Sequence, residues 1–177
     1  IGLTINISAQ TLEKGGIPEY VTAKIVEYDV NPAALVFEIT ESHSISDLEN
    51  AQKQLSALRA LGCRIAVDDF GTGFSTFAYL RQIEADILKI DGSLIQGLPH
   101  DNLDRTIIAA LTSIAETAGK ITVAECVEDA SMLLTLYECG VDMAQGYIVG
   151  MPRLHLPKSL PTLGTNMFQD QAQLSGI

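Results

Sequence analysis

Apolar and polar positions alternate in two rhythms along this chain. LTINIS (residues 3–8), LVFEIT (35–40) and CRIAVDDF (63–70) are short runs rich in β-branched residues, and each predicts a strand. ILKID (87–91), ITVAECV (121–127) and MAQGYIVG (143–150) predict three more. CRIAVDDF is apolar at nearly every position until its two aspartates, as expected of a strand covered on both faces.

Between these runs the spacing becomes helical. Pro18 suits a first turn and opens a pattern that runs to Tyr28. Asp47 is a capping residue, and Leu48, Ala51, Leu55, Leu58 and Leu61 form one apolar stripe before Gly62 stops the helix. A short helix is predicted over Ser75–Leu80, a longer one over Asp104–Ala118 before Gly119, and another over Asp129–Cys139 before Gly140. The tail after Pro152 is polar and proline-punctuated, which predicts loose packing. Strand and helix thus alternate six times. That order implies parallel strands joined by right-handed helical crossovers, in either an open doubly wound sheet or a closed barrel.

The unusual polar residues collect at one kind of place. Asn6 lies near the end of strand one, Glu38 and Glu41 at the end of strand two, and Asp68 and Asp69 at the end of strand three. Lys89 and Asp91 end strand four, Glu125 and Glu128 end strand five, and Gln145 lies in strand six. C-terminal strand ends form the active face of parallel α/β folds. Each residue alone has an ordinary reading. Asp69 before Phe-Gly is a turn former, Glu128 favours a helix N-terminus, and Lys89 pairs with any nearby carboxylate. Successive strands carrying acceptors at the same end make coincidence a poor account. Oxygen donors without histidine clusters favour Mg²⁺ or Mn²⁺, and adjacent aspartates suit two ions about 3.5–4 Å apart, a recurring device for phosphoryl displacement.

Composition narrows the class. The 177 residues are 47% hydrophobic and 19% charged, which describes a globular chain with a real core. A formal net charge of −11 argues against binding duplex nucleic acid, because an acidic chain gains little from counterion release. No run of about 20 apolar residues is present to span a membrane. Cys63, Cys126 and Cys139 are odd in number and lack metal-ligand spacing, so a reducing, cytoplasmic compartment is expected, which is compatible with a membrane-tethered parent protein.

DDFGTG, taken with NIS, EITE, LKID, AECVE and AQGY in this order, resembles the EAL-domain family of cyclic di-GMP phosphodiesterases. The resemblance runs from Ile1 to Pro152 and leaves 153–177 as a polar tail. It implies a (β/α)8 TIM-like barrel with one antiparallel strand, of which about six βα units are present and the first two strands, with the Glu-Ala-Leu signature, are missing from this sequence. It also implies metal-dependent hydrolysis of cyclic di-GMP to linear pGpG, with two Mg²⁺ or Mn²⁺ ions. By motif, Asn6, Glu38 and Asp68 resemble ligands of one metal. Asp68 would bridge to a second metal held by Asp69, with Glu125 on that metal or its water. Lys89, Glu125, Glu128 and Gln145 resemble catalytic groups, Asp91 and Gln145 substrate contacts, and Glu41 the glutamate that steadies the DFGTG loop. A homodimer through that loop is implied as well.

Two departures qualify the expectation. Cys126 stands where the family usually has glycine, and strand alternation predicts that it faces the helices while Glu125 faces the site. The Glu-Ala-Leu glutamate, a metal ligand in the family, is not in the sequence, so these residues alone are expected to be weak or inactive. The competing reading is a catalytically impaired module that binds cyclic di-GMP or a protein partner as a receptor or scaffold.

Overall fold

Six parallel strands stand side by side in the order in which the chain makes them. The computed structural model describes residues 2–40, 47–71, 83–152 and 154. Its strands are β1 (Leu3–Ile7), β2 (Leu35–Thr40), β3 (Arg64–Phe70), β4 (Ile87–Ile90), β5 (Ile121–Ala124) and β6 (Met143–Ala144). Each pairs in parallel with the next, and the sheet order is β1-β2-β3-β4-β5-β6. A doubly wound sheet needs a point where strand order reverses. No reversal occurs among the described strands, so the winding is that of a TIM-like barrel.

The helices are α1 (Ala9–Lys14), α2 (Ile17–Tyr28), α3 (Leu48–Ala60), α4 (Gly92–Ile95), α5 (Asn102–Thr117) and α6 (Ala130–Glu138), with a 3₁₀ turn at Pro32–Ala34. Polar caps account for many acids away from the strand ends. Asp47 accepts from Asn50 N, Asp101 from Leu103 N and Asp104 N, and Asp129 from Ser131 N and Met132 N. Asp86 and Asp142 tie the other end of the sheet. Asp86 accepts from Ile65 N and the Arg59 guanidinium, and Asp142 from the Thr122 backbone and hydroxyl.

Strand alternation divides the sheet into two faces. Ile7, Phe37, Ile39, Ile65, Val67 and Leu88 pack outward with Leu55, Leu58, Leu111 and Ala115 of the helices. Val36, Ala66 and Ile87 form a separate cluster with Ile121 and Val123. This cluster lies on the inner face, and the inner-face residue two positions further on is charged on four strands: Glu38, Asp68, Lys89 and Glu125. Because the strands run the same way, the apolar cluster forms a floor beneath one level of charge.

Several elements differ from expectation. Strand five ends at Ala124 and not Val127, because Cys126 adopts a left-handed φ of 54° that no strand continues through. Strand six keeps only Met143 and Ala144 of the expected eight-residue run. Just beyond it, Gly146 comes so close to the Val127 backbone that any Cβ there would collide with it. Helices α1 and α4 were not predicted: they are short, and only Ser8 and Asp91 signal their starts. The predicted Ser75–Leu80 helix lies outside the described residues, as does the tail beyond Pro152 except Leu154.

Candidate active site

The inner face closes around the Lys89 ammonium. Lys89 Nζ lies 2.5 Å from Glu38 Oε1, 2.9 Å from Asp68 Oδ1 and 2.5 Å from Glu125 Oε1. An ammonium has three N–H donors, so these carboxylates use them all. The Lys89 side chain is 8% exposed and that of Glu38 6%. Burial of this depth is tolerated because the charges are paired and hydrogen-bonded.

Three carboxylates around one ammonium leave surplus negative charge. Burial opposes the Lys89 ammonium, but its bonds to Glu125, Glu38 and Asp68 outweigh that and hold its pKa above the ordinary lysine value. Burial pushes the Glu38 carboxyl up; Lys89 opposes this and Asp68 adds to it. Glu125 is pushed up by burial too, against Lys89 and with the help of Asp68 and Asp69. Such a cluster gains from further positive charge.

The two adjacent aspartates serve different groups. A regular strand would turn Asp68 and Asp69 to opposite faces. Here Asp69 has a φ of 57°, and the β3–β4 register shifts between Val67 and Phe70. A bulge of this kind re-aims a side chain. As a result, carboxylate oxygens of Glu38, Asp68 and Glu125 lie within 4.8 Å of one another, and so do those of Asp69, Asp91 and Glu125. Glu125 belongs to both groups. Burial and then the Asp68 and Asp91 charges push the Asp69 carboxyl up. Burial opposes ionisation of Asp91 as well, but bonds from Ser93, Asp69 and Gly92 hold it below the usual range. Its carboxylate also caps α4 by accepting from Ser93 N at 2.9 Å.

These oxygen-only groups fit hard divalent cations, which take carboxylate ligands and welcome surplus negative charge. Asn6 sits in register with Glu38. Gln145 is held by its backbone, donating to Ala124 O at 2.8 Å and accepting from Val127 N at 3.1 Å. It lines a space of about 510 Å³ together with Glu38, Ala66 and Lys89. It also borders a smaller one of about 220 Å³ with Glu125, Cys126, Glu128, Gly146 and Tyr147. Glu128 is exposed at that smaller opening. Glu41 and the loop after Gly71 lie outside the described residues, so the expected loop support does too.

Cys126 contradicts the alternation expectation. It is exposed, and it lines the opening between Glu125 and Glu128 with its side chain against Gly92 at the start of α4. Its positive φ takes it out of the strand pattern. Burial, followed by the charges of Glu125, Asp91 and Glu128, pushes its thiol up. Sequence reasoning missed Gly92, whose backbone abuts Cys126, and Tyr147; neither carries a sequence signal stronger than its position beside a motif.

Known proteins resemble this chain in sequence and in fold. The chain is 37% identical over 149 residues to cyclic di-GMP phosphodiesterase PdeF of Escherichia coli (strain K12), covering 84% of this chain and 20% of that protein. The chain thus spans about a fifth of the length of that curated relative. The crystal structure of the EAL domain of Mycobacterium smegmatis DcpA superposes with a TM-score of 0.81 at 36% identity, covering 86% of this chain and 68% of that one. Klebsiella pneumoniae BlrP1, in a manganese and cy-diGMP complex, superposes with a TM-score of 0.79 at 27% identity, covering 85% and 39%. The EAL domain family matches residues 1–152, and the chain belongs to that family.

Proposed function

We propose that this domain hydrolyses one phosphodiester bond of cyclic di-GMP, giving linear pGpG, in bacterial second-messenger signalling. The observation that carries the reading is the single level of Glu38, Asp68, Lys89 and Glu125 on the inner face, at the C-terminal ends of neighbouring strands. A relative that is named a cyclic di-GMP phosphodiesterase and a structural neighbour in complex with manganese and cy-diGMP support it.

In this reading Asn6, Glu38 and Asp68 would hold one Mg²⁺ or Mn²⁺ ion, and Asp68, Asp69 and Glu125 would hold a second. Bound there, such ions would supply positive charge toward the phosphodiester and lower the pKa of a water. The chain's own residues do the rest. Glu125 accepts a proton from the attacking water. Lys89 offers its charge to the phosphate oxygens as negative charge develops there. Glu128 and Gln145, at the mouth, orient water and substrate. Asp91 contacts substrate while it caps α4, and Glu41 steadies the loop after Gly71. The cytoplasm is the proposed setting, with a homodimer formed through that loop. Among the described residues no helix is long and apolar enough to cross a membrane.

The test is to incubate the intact protein with cyclic di-GMP and Mn²⁺ and follow pGpG by chromatography, with Glu125→Gln as control. Product that appears with the parent and not with the variant is the expected result. Tight binding of cyclic di-GMP without product overturns the enzymatic reading in favour of a receptor.

A further inference from the structure

Cys126 and Gly92 compete for the same space. An ideal Cβ built on Gly92 would stand 2.6 Å from Cys126 Sγ and 2.8 Å from Cys126 Cβ, closer than real Cβ contacts come. The Cys126 side chain therefore occupies the position that a side chain at residue 92 would need. Each partner directly follows a carboxylate of the second acid group: Gly92 follows Asp91, and Cys126 follows Glu125.

The two turns are otherwise held at the backbone. Glu125 N donates to Ile90 O at 3.1 Å and Val127 N to Gln145 O at 3.1 Å. Cys126 lies between these bonds with a left-handed backbone, an arrangement that L residues adopt only at a cost in strain. Asp91 is held by its cap on α4. Backbone bonds fix the strand ends, and between the two turns the Cys126 side chain lies directly against Gly92.

We propose that Cys126 is a positioning residue whose side chain, packed against Gly92, sets where Glu125, a ligand of the second ion in the reading above, stands relative to Asp91 and Asp69. One side chain fits between the turns, and in this protein residue 126 supplies it. The inference rests on the metal reading above, and its test separates the two.

The test is calorimetric titration of the intact protein with Mn²⁺, comparing the parent with Gly92→Ala, Cys126→Gly and the double variant, each at a temperature where it is folded. Gly92→Ala overfills the gap and Cys126→Gly empties it, so each alone weakens Mn²⁺ binding about tenfold, as changes behind metal ligands do. In the double variant the alanine methyl takes the place of the thiol, and binding returns toward the parent value. Loss of stability alone would not move Mn²⁺ affinity in folded protein. Parent-like binding in either single variant overturns the inference, and so does a double variant as weak as the singles. If Gly92→Ala does not fold, the double variant must fold and bind; a double variant equally unfolded overturns it. A parent that binds no Mn²⁺ fails the metal reading instead. The reciprocal fit then stands or falls on melting temperature, which Gly92→Ala lowers and the second substitution restores.

Discussion

Lys89 donates to Glu38 across 2.5 Å between two strands that are not neighbours, since β3 lies between β2 and β4. The bond spans the inner face beyond the apolar floor of Val36, Ala66 and Ile87. With Asp68 and Glu125 it also uses all three ammonium donors. Lys89 therefore holds the same three carboxylates that form the first candidate metal group.

Lys89 and a divalent cation should compete for those oxygens. In metal-free protein, Lys89→Met removes the countercharge from buried carboxylates and should cost about 3 kcal/mol of stability. The Mn²⁺-induced rise in melting temperature should then be larger than in the parent, because no ammonium has to be displaced. Turnover of cyclic di-GMP should fall. An equal or smaller Mn²⁺ shift in the variant would show that Lys89 and metal do not share ligands.

The acids set the pH dependence of the metal-free protein. The carboxyls of Glu38, Glu125 and Asp69 are held above their ordinary values of 4.5, 4.5 and 3.8. The folded state therefore binds protons more tightly than the unfolded state. Their contribution to stability is greatest at acid pH and is lost as pH rises from the ordinary values through the raised ones. Lys89, raised from 10.5, adds no slope until strongly alkaline pH. Melting in EDTA should fall as pH rises above 4.5, and Glu38→Gln should flatten that slope. A slope of the same size in the variant would remove Glu38 from this account.

Asp69 pays for its reach with backbone strain. Its φ of 57° is a conformation that glycine adopts freely and other L residues do not. Asp69→Gly should stabilise the metal-free fold by about 1 kcal/mol. It should also weaken Mn²⁺ binding and slow hydrolysis. Paired melting and Mn²⁺ titration decide this, and a variant that binds Mn²⁺ as the parent does would leave the strain without a functional reason.

The strand ends were legible because chemistry and periodicity coincide there. Two residues after the inward Val36, Ala66, Ile87 and Val123 come Glu38, Asp68, Lys89 and Glu125, a spacing visible without any structure. The capping aspartate at 47 was equally plain. Alternation failed at the two places where the backbone leaves the strand region, Asp69 and Cys126. Asp69 before Phe-Gly marked a turn, but not one that breaks the strand between the two aspartates, and nothing in residue type announces a left-handed cysteine. The Gly92–Cys126 contact joins residues 34 positions apart and depends on both turns being formed.

Asp91 has two roles that one substitution can separate. It caps α4 through Ser93 N and shares an oxygen cluster with Asp69 and Glu125. Asparagine caps a helix about as well as aspartate, since its side-chain oxygen also accepts from the backbone, but it carries no charge. Asp91→Asn should therefore leave melting of the metal-free protein nearly unchanged. Mn²⁺ binding should weaken about tenfold, the usual scale for losing a group behind or beside metal ligands. Asp91→Ala should add the loss of the cap, about 1 kcal/mol, to the same loss of affinity. If Asp91 only caps α4, the asparagine variant will titrate with Mn²⁺ as the parent does and only the alanine variant will differ, through its lower melting temperature.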